Sequence, residues 1–284
     1  MKNGADVPSE VASFLRWAGS KRQQVSFLRT LVPVTVRRYV EPFAGSASLF
    51  FVLNPPRAVL GDLNGELIAT FQAVALNPVG VYERLAALPH GRENYYYIRD
   101  EWKARGKYCR AARFIYLNRF CFNGLYRTNS SGAFNVPYGR PKNNNIPSKE
   151  QLVACASSLR RAVLIAGDFR DTLAAVERDD FVYLDPPYAV RSRRVFAEYG
   201  KKVFNYEDLS DVGASLHRLD GIGAKFVLSY ADSSDSRRIF APWYSRRVRV
   251  QRNVAGFTSS RRHQYEIYVS NVQSSFFAQG KRLV

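Results

Sequence analysis

The segment Asp185-Pro186-Pro187-Tyr188 directly follows the apolar run 181–184 and carries the residue types that most directly suggest chemistry. A carboxylate accepts hydrogen bonds, and two prolines fix the backbone while leaving its carbonyl oxygens free to accept. A rigid corner of this kind can hold both hydrogens of an exocyclic amino group on a flat ring, with the tyrosine ring stacked against it. The structural alternative is a turn that ends a strand and exposes an aspartate.

Acidic and small residues follow three further apolar runs. Residues 41–46 (Glu-Pro-Phe-Ala-Gly-Ser) form a turn in which the backbone can approach a ligand, although an ordinary turn is an equal alternative. Asp62 follows Gly45 at a spacing close to the ~20 residues at which an acidic side chain accepts from ribose hydroxyls. Asp168 and Phe169 could hold an adenine. The alternative for Asp62 is helix capping, and the alternative for the pair 168–169 is a satisfied turn. Together these positions predict a nucleoside-binding edge of a sheet.

Alternating apolar runs predict the elements that position these residues. A parallel sheet covered by helices on both faces is typical of strands that alternate with helices along the chain. The pattern predicts strands at 39–43, 57–60, 162–166, 181–184 and 225–230. It predicts helices at 49–53, 65–76 and 206–219, with Asn64 as the cap of the second.

The interval 77–158 interrupts this alternation and is strongly basic. It holds 13 basic and 5 acidic residues, with helical spacing at 110–120 and a loop-rich stretch at 123–147. A second basic stretch, 237–262, holds eight arginines and no carboxylate, and 246–250 alternates like an edge strand. The whole chain of 284 residues has a formal charge of +18. This charge predicts a polyanionic partner, the alternative being an ordinary alkaline surface.

The cysteines and the amino-terminal residues argue against a metal centre, a disulfide framework and a membrane span. Cys109, Cys121 and Cys155 form no paired zinc spacing with the three histidines. The first residues lack the apolar core of a signal peptide, and no apolar run approaches the ~18 residues that a membrane span needs. We therefore expect a reducing, cytoplasmic location.

These motifs, in this order, resemble the Dam-type (D12 class) DNA adenine-N6 methyltransferases over most of the chain. The matching segments are 14–21, 41–46, 61–64, 116–127, 134–140 and 185–188. The string 116–127 (Tyr-Leu-Asn-Arg-Phe-Cys-Phe-Asn-Gly-Leu-Tyr-Arg) is long and idiosyncratic, which makes a chance match remote. One departure is Ala47, which stands where the family often has a further glycine.

The resemblance implies an α/β fold: a Rossmann-like methyltransferase sheet with an inserted, mostly helical DNA-recognition subdomain. The catalytic domain would comprise 1–76 and 159–284, and the insert with its hairpin loop would comprise 77–158. The implied methyl donor is S-adenosyl-L-methionine, which leaves as S-adenosyl-L-homocysteine. No metal is expected, because the sulfonium already activates the methyl group and the protein supplies positioning and electrostatics.

The resemblance also assigns residues, one by one. The catalytic segment is expected to be Asp185, Pro186, Pro187 and Tyr188. The cofactor-binding residues are expected to be Trp17, Lys21, Phe43, Gly45, Asp62, Asp168, Phe169 and Asp185. The DNA-binding residues are expected to be Arg16, Arg119, Phe122, Asn123, Leu125, Arg127, Asn135, Pro137, Tyr138 and Arg140.

Within the DNA set, Phe122 matches an aromatic wedge beside an extruded base, and Arg127 suits bidentate readout of guanine. The match at Leu125, Arg127 and Pro137 favours a GATC-like target in duplex DNA. Three alternatives stay open: a non-catalytic DNA-binding relative, an RNA methyltransferase and a cytosine-N4 methyltransferase. We expect a monomer, and the sequence leaves open whether a cognate restriction endonuclease accompanies it.

Overall fold

The computed structural model describes residues 11–141, 146–189, 204–250 and 264–278. Within these ranges seven strands form one mixed sheet in the order β3-β2-β1-β4-β5-β7-β6. Strands β1 to β5 pair in parallel, whereas β7 runs antiparallel to both β5 and β6. The strands are β1 (Tyr39–Glu41), β2 (Ala58–Asp62), β3 (Ala162–Ala166), β4 (Phe181–Leu184), β5 (Lys225–Ala231), β6 (Tyr244–Val250) and β7 (Gln264–Ser270).

Eleven α-helices and two 3₁₀ turns connect and cover these strands in the described ranges. The helices are α1 (Val25–Arg29), α2 (Ser48–Leu53), α3 (Gly65–Leu76), α4 (Pro78–Ala86), α5 (Arg92–Asp100), α6 (Lys107–Phe120), α7 (Lys149–Leu159), α8 (Phe169–Ala174), α9 (Tyr206–Gly221), α10 (Ser234–Ile239) and α11 (Ser275–Ala278). The 3₁₀ turns are Lys21–Gln24 and Phe122–Gly124.

The predicted alternation of strands and helices is confirmed, with shifts at the ends of elements. Helix α3 begins after Asn64, whose side chain accepts from the amides of Glu66 and Leu67 as the cap prediction requires. Strand β1 stops at Glu41 rather than at Phe43, because the next residues form the turn into α2. The predicted edge strand at 246–250 corresponds to the carboxyl-terminal part of β6, which lies at the edge of the sheet.

Side chains of the central strands alternate between two hydrophobic clusters. Along β4, Phe181 and Tyr183 join one cluster, and Val182 and Leu184 join the other. All four are buried, as expected of a parallel strand with both faces covered. The unbroken apolar run before Asp185 is therefore the physical result of burial on two sides.

The described helices of the interval 77–158 belong to the hydrophobic cluster on one face of the sheet. Helices α4, α6 and α7 contribute buried side chains to the same cluster as Phe181 and Tyr183. Phe114, Leu117 and Leu152 share this cluster with Ile68 and Phe71 of α3. The chain is thus an α/β protein with a mostly parallel sheet plus a helical segment. In the described ranges no helix has the length and apolarity to cross a membrane.

Gly61 tests how tightly β2 packs against α8. A Cβ built at Gly61 would lie 1.9 Å from Thr172 Oγ1, so alanine cannot fit without a shift of α8. We predict that Gly61→Ala lowers the free energy of unfolding by about 1–3 kcal/mol, the usual cost of overpacking. Urea unfolding followed by circular dichroism measures it.

Gly65→Ala is the matched control, because nothing lies within 4 Å of a Cβ at that position and it opens helix α3. It should be neutral or stabilise the fold by up to about 1 kcal/mol. Equal unfolding midpoints for the two variants would contradict the packing described for Gly61.

Candidate active site

The predicted site residues gather at the carboxyl ends of four neighbouring parallel strands. Phe43 and Gly45 follow β1, Asp62 ends β2, Asp168 follows β3 and Asp185 follows β4. Because the strands are parallel and adjacent, these ends lie on the same edge of the sheet. The structure therefore brings together residues that are spread over more than half of the sequence.

Asp185 receives two hydrogen bonds on a single oxygen. Lys21 Nζ donates to Oδ1 at 2.8 Å, and Ser229 Oγ donates to the same atom at 2.8 Å. No hydrogen bond reaches Oδ2 from the residues that the structure describes, and none from that set reaches the Pro186 carbonyl. The corner predicted from the sequence therefore presents two acceptor oxygens on a rigid backbone.

Ser229 and Tyr183, which the sequence did not indicate as site residues, form a hydrogen-bonded chain to Asp185. A carboxylate only accepts, so Ser229 donates its proton to Asp185 and takes one from the Tyr183 hydroxyl, 3.1 Å away. Ser229 is fully buried on β5, and Tyr183 is buried on β4. A polar Ser-Tyr pair at 229–230 within an apolar strand was the available signal.

Glu266 is the second residue that the sequence argument missed. It lies on β7 with 2% of its surface exposed, and its Oε1 accepts from the Tyr188 hydroxyl at 3.0 Å. The same oxygen lies 3.4 Å from Lys21 Nζ. The ring of Tyr188 meets Tyr230 edge-on, with ring centres 5.3 Å apart. The signal in the sequence was one glutamate within the apolar run 265–269.

Trp17 and Asp62 lie on either side of the glycine turn after β1. Gly45 has a φ of +47°, and a Cβ there would lie 2.9 Å from Trp17 Cδ1, so the turn and the indole need a glycine. Asp62 accepts from the amides of Gly45 at 2.9 Å and Asn64 at 2.8 Å. Burial raises the pKa of Asp62, and these two amide bonds act in the opposite direction. The carboxylate thus fixes the turn and retains acceptor capacity.

Phe43 and Phe169 stack on each other between β1 and β3. Their ring centres are 5.1 Å apart with an interplanar angle of 30°. Asp168 caps α8 and pairs with Arg170 at 2.7 Å, while the Arg170 guanidinium lies over the Phe169 ring. Asp168 therefore has a helix-capping role in the structure, beside an aromatic pair that suits a flat ring.

Of the predicted DNA-binding residues of the insert, Arg119 lies on α6, and the others follow it in the hairpin segment 122–140. The Phe122 amide donates to the Pro137 carbonyl at 2.9 Å, and Cys121 bridges Tyr138 in antiparallel fashion. Phe122 is 39% exposed although it is a large apolar side chain. Asn123, Pro137 and Arg140 are also exposed, while Leu125, Asn135 and Tyr138 are half-buried.

Arg127 is held in place by the opposite arm of that hairpin. Its Nε donates to Asn135 Oδ1 at 2.8 Å, and its Nη2 donates to the Asn135 carbonyl at 3.3 Å. A guanidinium with two fixed contacts presents its remaining donors in one direction. Asn135, which the sequence placed among the DNA-binding residues, therefore also orients Arg127.

Arg16 and Arg119 concentrate positive charge beside the hairpin. The Asn118 side chain binds both the amide and the carbonyl of Arg16, and a Cβ at Gly124 would lie 2.7 Å from Arg16 Cβ. Burial and the charges of Arg16 and Arg22 lower the pKa of Arg119 to about 10. A bound phosphate would relieve this repulsion.

Several arginines of the second basic stretch, 237–262, are paired within the protein. Asp232, which precedes it in the chain, pairs with both Arg237 and Arg247 at 2.6 Å. Arg246 donates to the Phe276 carbonyl and lies over that ring. Arg238 donates to the Tyr206 hydroxyl, so four of the five arginines that the structure describes in this stretch have partners within the protein. Residues 251–263 of this stretch lie outside the described residues.

The sequence of the chain matches the model of a known family. The D12 class N6 adenine-specific DNA methyltransferases match residues 17–255 of this chain. The chain belongs to this family. Its mostly parallel sheet with an added helical segment is consistent with the fold of a methyltransferase, and it acts as an adenine-specific DNA methyltransferase.

Individual relatives cover most of the chain. A type II methyltransferase of Lactococcus lactis subsp. cremoris is 35% identical over 91% of this chain and 94% of its own length. A DNA adenine methylase of Haemophilus influenzae is 32% identical over 85% of this chain and 87% of its own length. A DNA adenine methylase of Escherichia coli is 30% identical over 90% of this chain and 93% of its own length.

Family membership decides between the functions that the sequence left open. The family acts on adenine N6 in DNA, which sets aside RNA and cytosine N4 as the target of this methyltransferase. It also sets aside a protein that only binds DNA.

Glu41 gives the site a pH-dependent contribution to stability. Burial raises the pKa of Glu41 well above its ordinary value of 4.5; the hydrogen bond from Tyr39 opposes this, and the charges of Asp185 and Asp62 add to it. A carboxyl group that binds its proton more tightly in the folded state stabilises the fold at low pH. That contribution is lost as the pH rises from 4.5 through the folded pKa.

We predict that Glu41→Gln gains stability relative to wild type as the pH rises above about 4.5, with a slope of up to ~1.4 kcal/mol per pH unit. Urea unfolding at a series of pH values measures the difference. Glu177→Gln is the control, because the Glu177 side chain is 59% exposed. Parallel stability curves for Glu41→Gln and wild type would contradict the burial effect.

Proposed function

We propose that this methyltransferase extrudes an adenine from duplex DNA and holds its N6 amino group between Asp185 Oδ2 and the Pro186 carbonyl. The observation that carries the proposal is that Lys21 and Ser229 both donate to Oδ1 of Asp185. These two hydrogen bonds fix the orientation of the carboxylate and leave Oδ2 as the acceptor for the substrate. The N6 lone pair is delocalised into the ring. Acceptors on both N6 hydrogens draw the nitrogen toward tetrahedral geometry and localise that pair.

Three parts of this corner have distinct roles in the proposal. Asp185 accepts one hydrogen and stabilises the positive charge that develops on nitrogen. Pro187 stiffens the turn, since its ring fixes φ. Tyr188 stacks on the extruded base, with its ring plane set by Tyr230 and its hydroxyl held by Glu266. The proton of N6 then leaves through Asp185 or through water.

The residues at the other strand ends fit S-adenosyl-L-methionine. Asp62 would accept from ribose hydroxyls, the rings of Phe43 and Phe169 would cover the adenine, and Asp168 would accept from its amino group. Trp17, Lys21 and the backbone of Gly45 would hold the methionine part. When bound, S-adenosyl-L-methionine supplies an activated methyl group. The family's S-adenosyl-L-methionine dependence supports this assignment.

For DNA recognition we propose that the interval 77–158 is the target-recognition subdomain and that 1–76 with 159–284 forms the catalytic domain. Phe122 would wedge into the duplex beside the extruded base, and Arg127 would read a guanine. Leu125, Arg127 and Pro137 favour a GATC-like site. The likeness to a type II methyltransferase supports a link to a restriction endonuclease, and we propose that the enzyme acts as a monomer.

The role of Asp185 is tested by Asp185→Ala. We expect methyl transfer from tritiated S-adenosyl-L-methionine to unmethylated plasmid DNA to fall by at least ~100-fold, because one of two acceptors for N6 is lost. Binding of S-adenosyl-L-homocysteine, measured by calorimetry, should change far less, since Asp62 and the aromatic pair remain. Turnover near the wild-type value would refute the acceptor role.

Arg127→Ala tests base recognition. It should relax discrimination at one base pair by about 1–3 kcal/mol, the value of a bidentate guanine contact. The ratio of kcat/KM between a preferred site and its single-base variants measures it, once modified-base sequencing has identified that site.

Arg178→Ala removes the same charge from an exposed position before β4, at the opposite edge of the sheet, and serves as control. Its site preference should stay at the wild-type value. If Arg127→Ala lowers kcat/KM equally on every sequence, Arg127 contacts phosphate rather than a base.

A further inference from the structure

Glu266 is a buried carboxylate on an otherwise apolar stretch of strand. Its neighbours Ile267, Tyr268 and Val269 are all buried, and Glu266 itself is 2% exposed. Burying a charge costs free energy unless it is paired and hydrogen-bonded, so a glutamate at this place requires partners. Register puts it opposite Ala231 on β5 and Val248 on β6, neither of which can pair with it.

The partners of Glu266 come from two separate parts of the proposed site. On the cofactor side, Lys21 Nζ lies 3.4 Å from Oε1. On the base side, the Tyr188 hydroxyl donates to that same Oε1 at 3.0 Å. The second oxygen, Oε2, accepts from the Tyr268 hydroxyl at 3.4 Å. One carboxylate oxygen thus links an ammonium and a phenol that belong to different elements.

These contacts constrain both groups beyond what their own segments supply. Lys21 is held between Glu266 and Asp185, which limits its ammonium to a position between the two acids. Tyr188 follows two prolines, so its backbone is stiff. Its ring still needs a second contact at the hydroxyl end to be fixed, and Glu266 provides that contact.

We propose that Glu266 is a positioning residue for methyl transfer, which sets the Tyr188 ring for the extruded adenine and the Lys21 ammonium for the cofactor. The proposal rests on the roles given above to Lys21 and Tyr188. Glu266 acts through these two side chains and touches neither substrate. Its loss should therefore appear in both DNA and cofactor parameters, each through a different partner.

The test is a double-mutant cycle on Glu266 and Tyr188. Glu266→Ala removes the contacts of the carboxylate with Lys21 and Tyr188, and Tyr188→Phe removes only the hydroxyl of Tyr188. The double variant combines the two changes. DNA affinity is measured without turnover, on unmethylated plasmid fragments with saturating S-adenosyl-L-homocysteine. We expect the double variant to bind at least about threefold tighter than the product of the two single losses predicts, since contacting residues couple by this much or more.

Glu266→Gln separates the two partners. The amide oxygen still accepts from Tyr188, while the charge that faces Lys21 is gone. We expect KM for plasmid DNA to stay within about threefold of wild type, while the Kd for S-adenosyl-L-homocysteine rises by about threefold or more. Glu266→Ala should raise both the KM for plasmid DNA and the Kd for S-adenosyl-L-homocysteine. Compared with it, Glu266→Gln should restore only the KM for DNA. If Glu266→Ala does not fold, the cycle is run with Glu266→Gln and Lys21→Met on cofactor affinity.

Asp180→Asn is the matched control for the loss of a buried carboxylate. Asp180 is fully buried at the opposite end of β4 from Asp185, and it pairs with Arg38. It should lower Tm and leave DNA KM and cofactor Kd unchanged. If Glu266 had only a structural role, its variants would likewise lower Tm without a specific change in DNA KM or cofactor Kd. Any losses of DNA affinity at positions 266 and 188 would then simply multiply in the cycle. Either result would overturn the proposal.

Asp185→Ala is measured alongside, so that the two proposals fail separately. Active Asp185→Ala refutes the acceptor role, yet the coupling between positions 266 and 188 can still be read from DNA binding. Multiplicative losses in the cycle with an inactive Asp185→Ala refute the positioning role and leave the acceptor role intact.

Discussion

The ion pair between Lys21 and Asp185 is the interaction on which the rest of the site depends. The two atoms are 2.8 Å apart, and the Lys21 side chain is 6% exposed. An almost buried pair is stable only when its remaining donors and acceptors are satisfied, because desolvation otherwise exceeds the Coulomb attraction. Ser229, Tyr183 and Glu266 meet this requirement. The same requirement orients Asp185, since two donors of the protein hold its Oδ1.

The parallel sheet is the device that makes such a pair possible. Four adjacent strands end at one edge, so their following turns meet although they are far apart in sequence. Lys21 lies in a 3₁₀ turn that precedes the first strand, and its ammonium reaches Asp185 at the end of β4. The antiparallel strand β7 then brings Glu266 to the same edge, from the last part of the chain that the structure describes.

Charge is divided between the edge of the sheet and the helical segment. The site contains the acids Glu41, Asp62, Asp185 and Glu266, and the hairpin region contains arginines. A net charge of +18 attracts a phosphate backbone over long range, whereas the local acids serve as acceptors at short range. The lowered pKa of Arg119 reflects the same crowding of positive charge. A DNA methyltransferase needs both the positive charge that attracts DNA and the acidic acceptors of the site. The fold places these two groups of residues on different elements.

The sequence by itself determined the elements that depend on local pattern: the strand before Asp185, the cap at Asn64, the basic helical interval and, through a resemblance, the family. These follow from apolar periodicity and short motifs, which are properties of neighbouring residues. Only the tertiary structure decided which oxygen of Asp185 is occupied, that Asn135 holds Arg127, that Asp232 pairs with arginines of the second basic stretch, and that Glu266 belongs to the site. Each of these is a contact between residues distant in sequence or a choice between atoms of one side chain. Such contacts are fixed by strand order and register, and no local pattern of residue types encodes them.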